Sequence, residues 1–446
     1  MSASGKSLVN KIKSNSFLRK AALLSSGSAA GHVVTLAVSP FLTRLYGPED
    51  FGSLGLFTSF LSVAGVAVAL QYEASIMSAS SESDAAYLAL GAAFLGIPTS
   101  VLAGVALWLL IHYSLLGFGE LPWYTPIALA FVMCFVGYFV ILRYLNLRIQ
   151  NFRDVSQATL IQNAARAILQ AVAGVLGLRN AGLILGETLG RGVGMGRMFK
   201  STWPELRGYV ARFRWSDCKE ALWKYRKFPL LTLPSALIDA ICVSLAVPLI
   251  VQIYGPKTGG YYALVWRVLS LPSMLITLAV ADTFHSEIAD LVRTNPNAAL
   301  SFFLKTSKTL VLIGSIPCVI LVFWARPLFV LVLGPQWGVS GVMAAIIAPW
   351  YISQFVVNPV SRLVLVLSGQ ESKLIWDILC LISIPAVFYA AQVEKLDALG
   401  AVRLLSVVNA ILYVAYFAVL LRLALSFHRS LKVRSLMNIG AEKASQ

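Results

Sequence analysis

Long apolar runs separated by short polar breaks dominate the pattern of residues along the chain. A membrane-spanning helix needs about 20 consecutive, mainly apolar residues. The pattern therefore predicts an all-α integral membrane protein with about twelve transmembrane helices. The predicted helices cover residues 21–43, 51–72, 85–113, 123–142, 155–177, 180–198, 229–253, 260–284, 307–333, 339–367, 374–392 and 401–424.

The composition supports this class of protein. Of the 446 residues, 58% are hydrophobic and 13% are charged. An average soluble domain carries about 25% charged residues, so a soluble chain of this composition would expose large apolar patches to water. The five cysteines lie far apart and predict buried thiols, with no spacing that indicates a metal site.

The basic residues indicate how the chain is oriented in the membrane. Lys and Arg are enriched in cytoplasmic loops, and the net charge is +16. When both termini are placed in the cytoplasm, most Lys and Arg residues fall in cytoplasmic segments. The loop 73–84 is an exception, because it contains neither Lys nor Arg. We therefore expect an even number of spans with both termini cytoplasmic.

A polar segment at 201–228 divides the predicted helices into two groups of six. It interleaves Trp203, Trp215 and Trp223 with basic residues. This pattern favours an amphipathic linker on the inner leaflet over the alternative, a site for single-stranded nucleic acid. The predicted domains are an N-terminal six-helix lobe (1–200), the linker (201–228), a C-terminal six-helix lobe (229–425) and a cytoplasmic tail (426–446).

A short sequence recurs near the start of each half. Because an even number of helices separates the two copies, they predict a parallel repeat, which is typical of transporters that move two bundles around a central site. In each copy a proline ends a helix and a glycine permits a tight reversal. At one constant spacing, Pro40, Tyr46, Gly47, Pro48, Gly52 and Leu56 recur as Pro248, Tyr254, Gly255, Pro256, Gly260 and Leu264.

Several segments in fixed order also resemble a known family. The sequence is similar to the polysaccharide or O-antigen flippases of the multidrug/oligosaccharidyl-lipid/polysaccharide exporter superfamily. The segments that carry the resemblance are Leu42–Gly52, Gln71–Ile76, Phe228–Leu237, Gly259–Pro272, Gly334–Trp337 and Ala348–Trp350.

The resemblance implies two six-helix lobes facing each other around a cavity in a bacterial inner membrane. It also implies that an undecaprenyl-diphosphate-linked oligosaccharide moves from the cytoplasmic to the periplasmic leaflet. The implied partners are this substrate, membrane lipids, a polysaccharide polymerase and a chain-length regulator, with no nucleic acid.

Arginines within or beside the predicted spans are the candidate binding residues. A charge inside a span costs about 3 kcal/mol, and guanidinium binds phosphate through two parallel hydrogen bonds. The alternative is that each arginine pairs with a carboxylate and holds two helices together. The predicted diphosphate and sugar cavity contains Arg143, Arg148, Arg166, Arg191, Arg267 and Arg362.

Acidic residues near the spans are candidates for coupling to protons or sodium, since buried carboxylates can exchange protons as access alternates. Glu187 and Asp239 are the preferred candidates, and structural pairing with arginine is the alternative for both. The other acidic candidates are Glu73, Asp282, Glu287 and Asp377.

The sequence predicts a transporter rather than an enzyme. It has no G-x-x-x-x-G-K-[ST] phosphate loop and so no expected ATP hydrolysis or resident cofactor. The glycines at 186, 190, 192, 194 and 196 predict close helix packing instead of nucleotide binding. An ion-coupled flippase is the leading hypothesis. An ion-coupled drug antiporter of the same superfamily is the alternative, and the short outside loops disfavour a membrane polysaccharide polymerase.

Overall fold

A computed structural model describes residues 26–367 and 369–444, and no strand occurs within them. The predicted all-α fold is thereby confirmed. Residues 1–25, which include the start of the first predicted span, lie outside the described residues. The helices are α1 (26–45), α2 (Pro48–Ala67), α3 (Glu82–His112), α4 (Thr125–Arg148), α5 (Phe152–Val175), α6 (Arg179–Gly192), α7 (Met195–Ala211), α8 (Trp215–Lys224), α9 (Leu233–Ser244), α10 (Ala246–Thr294), α11 (Ala299–Leu333), α12 (Gly338–Val360), α13 (Gln370–Val393) and α14 (Ala398–Ala444).

Eight stretches of the described chain are long and apolar enough to cross a membrane. One of them, Phe228–Ser270, contains the predicted span 229–253 and the start of the span 260–284, and the backbone leaves the helical region between them at Gly255. The remaining three predicted spans correspond to α1, α5 and α6, which lie outside these eight stretches. The twelve-helix pattern thus includes a group of helices with more polar sequences.

The chain divides into two compact units, one ending at Gly260 and the other beginning at Tyr261. In the first unit, the buried core includes Leu56, Phe57 and Leu129, supplied by α2 and α4. In the second, Phe284 and Phe303 pack in a core that joins α10 and α11. Each unit therefore has its own apolar core.

Two predicted spans differ from expectation at their ends. The sixth was predicted to reach residue 198, but α6 ends at Gly192 because Gly194 adopts a positive φ of 88° and a new helix begins at Met195. The seventh begins as a single π-helical turn, Phe228–Thr232, and is interrupted again after α9. Pro229 lies in the π-helical turn and Pro234 at the start of α9, and proline removes a backbone N–H donor from a helix. By contrast, α12 continues through Pro349.

The two Tyr-Gly-Pro corners contact each other reciprocally. Gly52 lies against the carbonyl oxygen of Pro256, and Gly260 lies against that of Pro48. A Cβ atom on either glycine would overlap the facing carbonyl. Because the four residues occupy two matching pairs of positions in the repeat, the contact supports a common origin of the two copies. We call this contact the corner pair.

We expect Gly52→Ala to lower the free energy of unfolding by about 1–3 kcal/mol, since the added methyl group meets backbone rather than a flexible side chain. Gly208→Ala is the matched control, because open space surrounds that glycine in α7. The free energy of unfolding of the control should rise by about 0.5–1 kcal/mol, because alanine loses less backbone entropy than glycine on folding. Thermal unfolding of the detergent-solubilised variants measures both, and equal stability of the two would contradict the contact.

Candidate functional site

The helices α5 and α6 approach each other closely through glycines of α6. A Cβ atom on Gly190 would lie 2.6 Å from the Cα atom of Arg166, and one on Gly186 would lie 2.7 Å from the backbone nitrogen of Gln170. These contacts confirm the predicted packing role of Gly186 and Gly190. Gly196, by contrast, has open space around it and takes no part.

Two predicted arginines meet at this helix contact. Oε1 of Glu187 accepts a hydrogen bond of 2.8 Å from Nη1 of Arg166 and another of 2.8 Å from Nε of Arg191. The Glu187 side chain is only 7% exposed. Asn163 completes the group by accepting a hydrogen bond from Nη2 of Arg166. We call Asn163, Arg166, Glu187 and Arg191 the arginine cluster.

The polar face of α5 follows from its sequence. Asn163, Arg166 and Gln170 are three and four residues apart, so they lie on one side of the helix. Gln170 contacts the neighbouring elements, since its Nε2 donates to the Leu183 carbonyl at 3.2 Å and its backbone carbonyl accepts from the Tyr46 hydroxyl at 2.7 Å. Buried polar groups of α5 thus find partners on α6 and beside α1, as apolar surroundings require.

The charges of the arginine cluster do not balance. Two guanidinium groups face one carboxylate, which leaves one net positive charge at a partly buried helix contact. In addition, Nε of Arg166 is buried without a hydrogen-bond partner among the described residues. The terminal nitrogens of Arg191 make no hydrogen bond to described residues either. An excess of charged donors suits the binding of a further anion such as phosphate.

Arg148 takes part in a separate group. Its Nη2 atom pairs with Glu82 at 2.9 Å, and its Nη1 atom donates to the carbonyls of Ile76 and Ala79 at 2.8 and 3.1 Å. These bonds tie the end of α4 to the segment that follows α2. This network agrees with the alternative interpretation of the arginines, in which an arginine pairs with a carboxylate and joins two parts of the fold.

The remaining predicted residues lie on helices other than α5 and α6, or next to such helices in the chain. Arg143 is exposed near the end of α4, and Asp239 is exposed on α9. Arg267 is half-buried in α10 and Arg362 is exposed just after α12, so both belong to the second unit. The Asp282 side chain lies outside the described part of the chain.

The linker forms two helices that each bury one side. In α7 the buried residues include Met198, Thr202 and Leu206, spaced four apart, whereas Trp203 is exposed. The end of α8 is fixed to the α2–α3 segment, because Lys224 pairs with Asp84 at 2.6 Å. This hydrogen bond raises the pKa of Lys224.

Glu73 has an environment that the sequence did not reveal. It lies between α2 and α3, is only 5% exposed, and its Oε2 atom has no hydrogen-bond partner among the described residues. Burial raises the pKa of its carboxyl group to about 7. The sequence ranked Glu187 and Asp239 above it, because by residue count they lie deepest in the predicted spans.

We expect Glu187→Gln to lower the free energy of unfolding by about 3 kcal/mol, because it leaves two half-buried guanidinium groups facing each other without a carboxylate. Glu205→Gln is the control, since Glu205 is exposed on α7, and it should change stability by less than about 0.5 kcal/mol. Thermal or denaturant unfolding gives both values.

A second substitution tests whether the loss of stability in Glu187→Gln arises from repulsion between the two arginines. In the Glu187→Gln background, Arg191→Gln removes one of the two repelling cations and should recover part of the stability. If Arg191→Gln recovers none, the three side chains do not act as one electrostatic group.

A family model described as a polysaccharide biosynthesis protein matches residues 41–341 of the chain. This range includes the arginine cluster, Glu73 and both copies of the repeated corner. No curated protein sequence matches the chain significantly.

Solved structures share the fold over nearly the whole chain. The lipid II flippase MurJ, in an inward closed conformation, is 15% identical with a TM-score of 0.68, covering 93% of this chain and 92% of that one. An inward-facing multidrug resistance MATE family transporter of the MOP superfamily is 14% identical with a TM-score of 0.65, covering 92% and 95%. A MOP superfamily transporter from Pyrococcus furiosus is 14% identical with a TM-score of 0.51, covering 92% and 95%.

Proposed function

We propose, because this chain belongs to the polysaccharide biosynthesis protein family, that it is a flippase for lipid-linked oligosaccharides. The proposed substrate is an undecaprenyl-diphosphate-linked repeat unit, which moves from the cytoplasmic to the periplasmic leaflet of a bacterial inner membrane. The likeness in fold to a lipid II flippase supports this proposal. The product would serve cell-surface polysaccharide synthesis, where a polymerase and a chain-length regulator act on it.

The net positive charge of the arginine cluster is the observation that carries the proposal. A diphosphate is an anion whose oxygens accept several hydrogen bonds, and a guanidinium group can supply two of them in parallel. Arg166 and Arg191 are only partly exposed at the contact of two helices, where an anion is less well solvated than in water and gains more from such donors. The same charge repels the cationic compounds that a drug antiporter would carry, which disfavours that alternative.

Glu187 moderates the strength with which the arginine cluster would bind a diphosphate. It holds both guanidinium groups in place and reduces their joint charge to one, so an arriving diphosphate meets oriented donors without an extreme positive field. A transport site must bind its substrate well enough to admit it and weakly enough to release it. Competition between Glu187 and the diphosphate for the same donors meets both conditions.

The other predicted residues take secondary places in the proposal. Arg143, Arg267 and Arg362 remain proposed contacts for the diphosphate or the sugars, whereas the bonds of Arg148 favour a structural role. We further propose ion-coupled alternating access, both termini in the cytoplasm, and the domain limits 1–200, 201–228, 229–425 and 426–446. On this proposal the exposed tryptophans of the linker lie at the inner leaflet.

We expect Arg166→Lys and Arg191→Lys each to weaken substrate binding by about 1.5–3 kcal/mol, since lysine keeps the charge but loses a parallel hydrogen bond. That loss corresponds to roughly tenfold to hundredfold in affinity. The measurement is surface polysaccharide in a deletion strain that carries each variant, together with the lipid-linked repeat units accumulating on the inner leaflet.

Arg207→Lys is the matched control, because Arg207 is exposed on α7 and makes no ion pair with a described residue. It should restore wild-type polysaccharide. The proposal fails if Arg166→Lys and Arg191→Lys, at normal abundance in the membrane, also export polysaccharide as the wild type does.

A further inference from the structure

Glu73 is a buried carboxyl group without a counter-ion. It lies in the short helix Tyr72–Ser75, where it is 5% exposed, and its Oε2 atom makes no hydrogen bond to any described residue. A buried carboxylate without a partner is very costly in free energy, and such a group avoids the cost by holding a proton. Glu73 therefore differs from Glu187, whose ionised form two guanidinium groups stabilise.

Among the described residues, no cation forms an ion pair or hydrogen bond with the Glu73 carboxyl oxygen Oε2. The short helix packs against α3, α4, the turn Ile76–Ser78 and the π-helical turn Phe228–Thr232. The π-helical turn and the Ile76–Ser78 turn have no charged residue. Tyr72 precedes Glu73 in the short helix. The titratable residues at the start of α3 are Glu82, Asp84 and Tyr87, and those at the end of α4 are Arg143, Tyr144 and Arg148.

The charged members of this set have other partners or stand apart. Arg148 is held by Glu82 and two backbone carbonyls, and Asp84 is held by Lys224. Arg143 is exposed and forms no ion pair with a described residue. Burial alone accounts for the raised pKa of Glu73, about 7, against the smaller opposing effect of a backbone N–H.

The backbone beside Glu73 is in a conformation suited to change. Leu70 and Gln71 have φ values of 52° and 63°, in the left-handed region that residues with side chains rarely adopt. Strain of this kind often marks segments that switch between conformations. The side-chain amide of Gln71 compensates in part, because it donates to the Val66 carbonyl at 3.0 Å near the end of α2.

We propose that Glu73 is the proton-binding residue through which a proton gradient drives transport, an inference that rests on the proposed flippase function. In the buried environment of this structure, one carboxylate oxygen of Glu73 carries the proton. When the α2–α3 segment opens to water, the O–H bond breaks, the proton passes to water, and the carboxylate stays ionised until it is buried again. Glu187 then serves substrate binding and not proton exchange.

Infrared difference spectroscopy of the purified wild-type protein, titrated without substrate, tests proton binding directly. We expect the C=O band of a protonated carboxyl group to titrate with a midpoint near pH 7. The band should be missing in Glu73→Gln and present in the control Glu205→Gln, whose carboxylate is exposed. An unchanged band in Glu73→Gln would overturn the proposal.

Transport in proteoliposomes tests coupling. A proton gradient should accelerate movement of a lipid-linked oligosaccharide by the wild type, and by Glu205→Gln, about tenfold. Glu73→Gln, which mimics the protonated form, should fold and transport at a rate independent of the gradient, whereas Glu73→Asp should respond at a shifted pH. Gradient-dependent transport by Glu73→Gln, or dependence on sodium instead of pH, would overturn the proposal.

The two measurements separate the two proposals. If the wild type moves no lipid-linked oligosaccharide, the proposed function fails, and the infrared titration still decides whether Glu73 binds a proton.

Discussion

In the hydrocarbon interior of a membrane, a polar group must find its partner within the protein, and the close packing of α5 against α6 is how this chain meets that requirement. The absence of side chains at Gly186 and Gly190 brings the two backbones together. At that separation Glu187 reaches Arg166 on the neighbouring helix, in addition to Arg191 one turn along its own helix. Packing and electrostatics are therefore inseparable here, because a larger residue in the stripe would displace the charges as well as the helices.

Two buried carboxyl groups of the first unit avoid the cost of an isolated charge in different ways. Glu187 stays ionised because arginines surround it, and the pair of arginines then retains a surplus charge for an anion. Glu73 lacks such neighbours, and on our proposal a proton takes their place. The two proposals together assign the anion and the proton to separate sites. Along the chain, α3, α4 and α5 separate Glu73 from Glu187 on α6.

The sequence was sufficient for the helical architecture, because a long apolar run has few alternatives to a membrane helix. It also located the two corners and Gly186 and Gly190, since glycine and proline act through local backbone geometry. The end of α6 was missed, because Gly194 looks like one more packing glycine until its positive φ is seen.

The side-chain partners of the candidate residues could not be predicted from the sequence, for a different reason. The bond from Arg166 to Glu187 joins two helices, and its existence depends on how those helices are rotated. Likewise, Glu73 stands in a segment that looks like a loop, and only the packing of α3, α4 and the π-helical turn around it excludes water.

The corner pair has the form of an isologous interface. Pro48 faces Gly260 and Pro256 faces Gly52, so each copy of the corner supplies the carbonyl for the other's glycine. A half-length chain carries both sides of this contact on one corner, and two such chains can form it around a two-fold axis. Gene fusion would then preserve an older homodimer seam inside a single polypeptide, where each glycine and its facing proline must be inherited together.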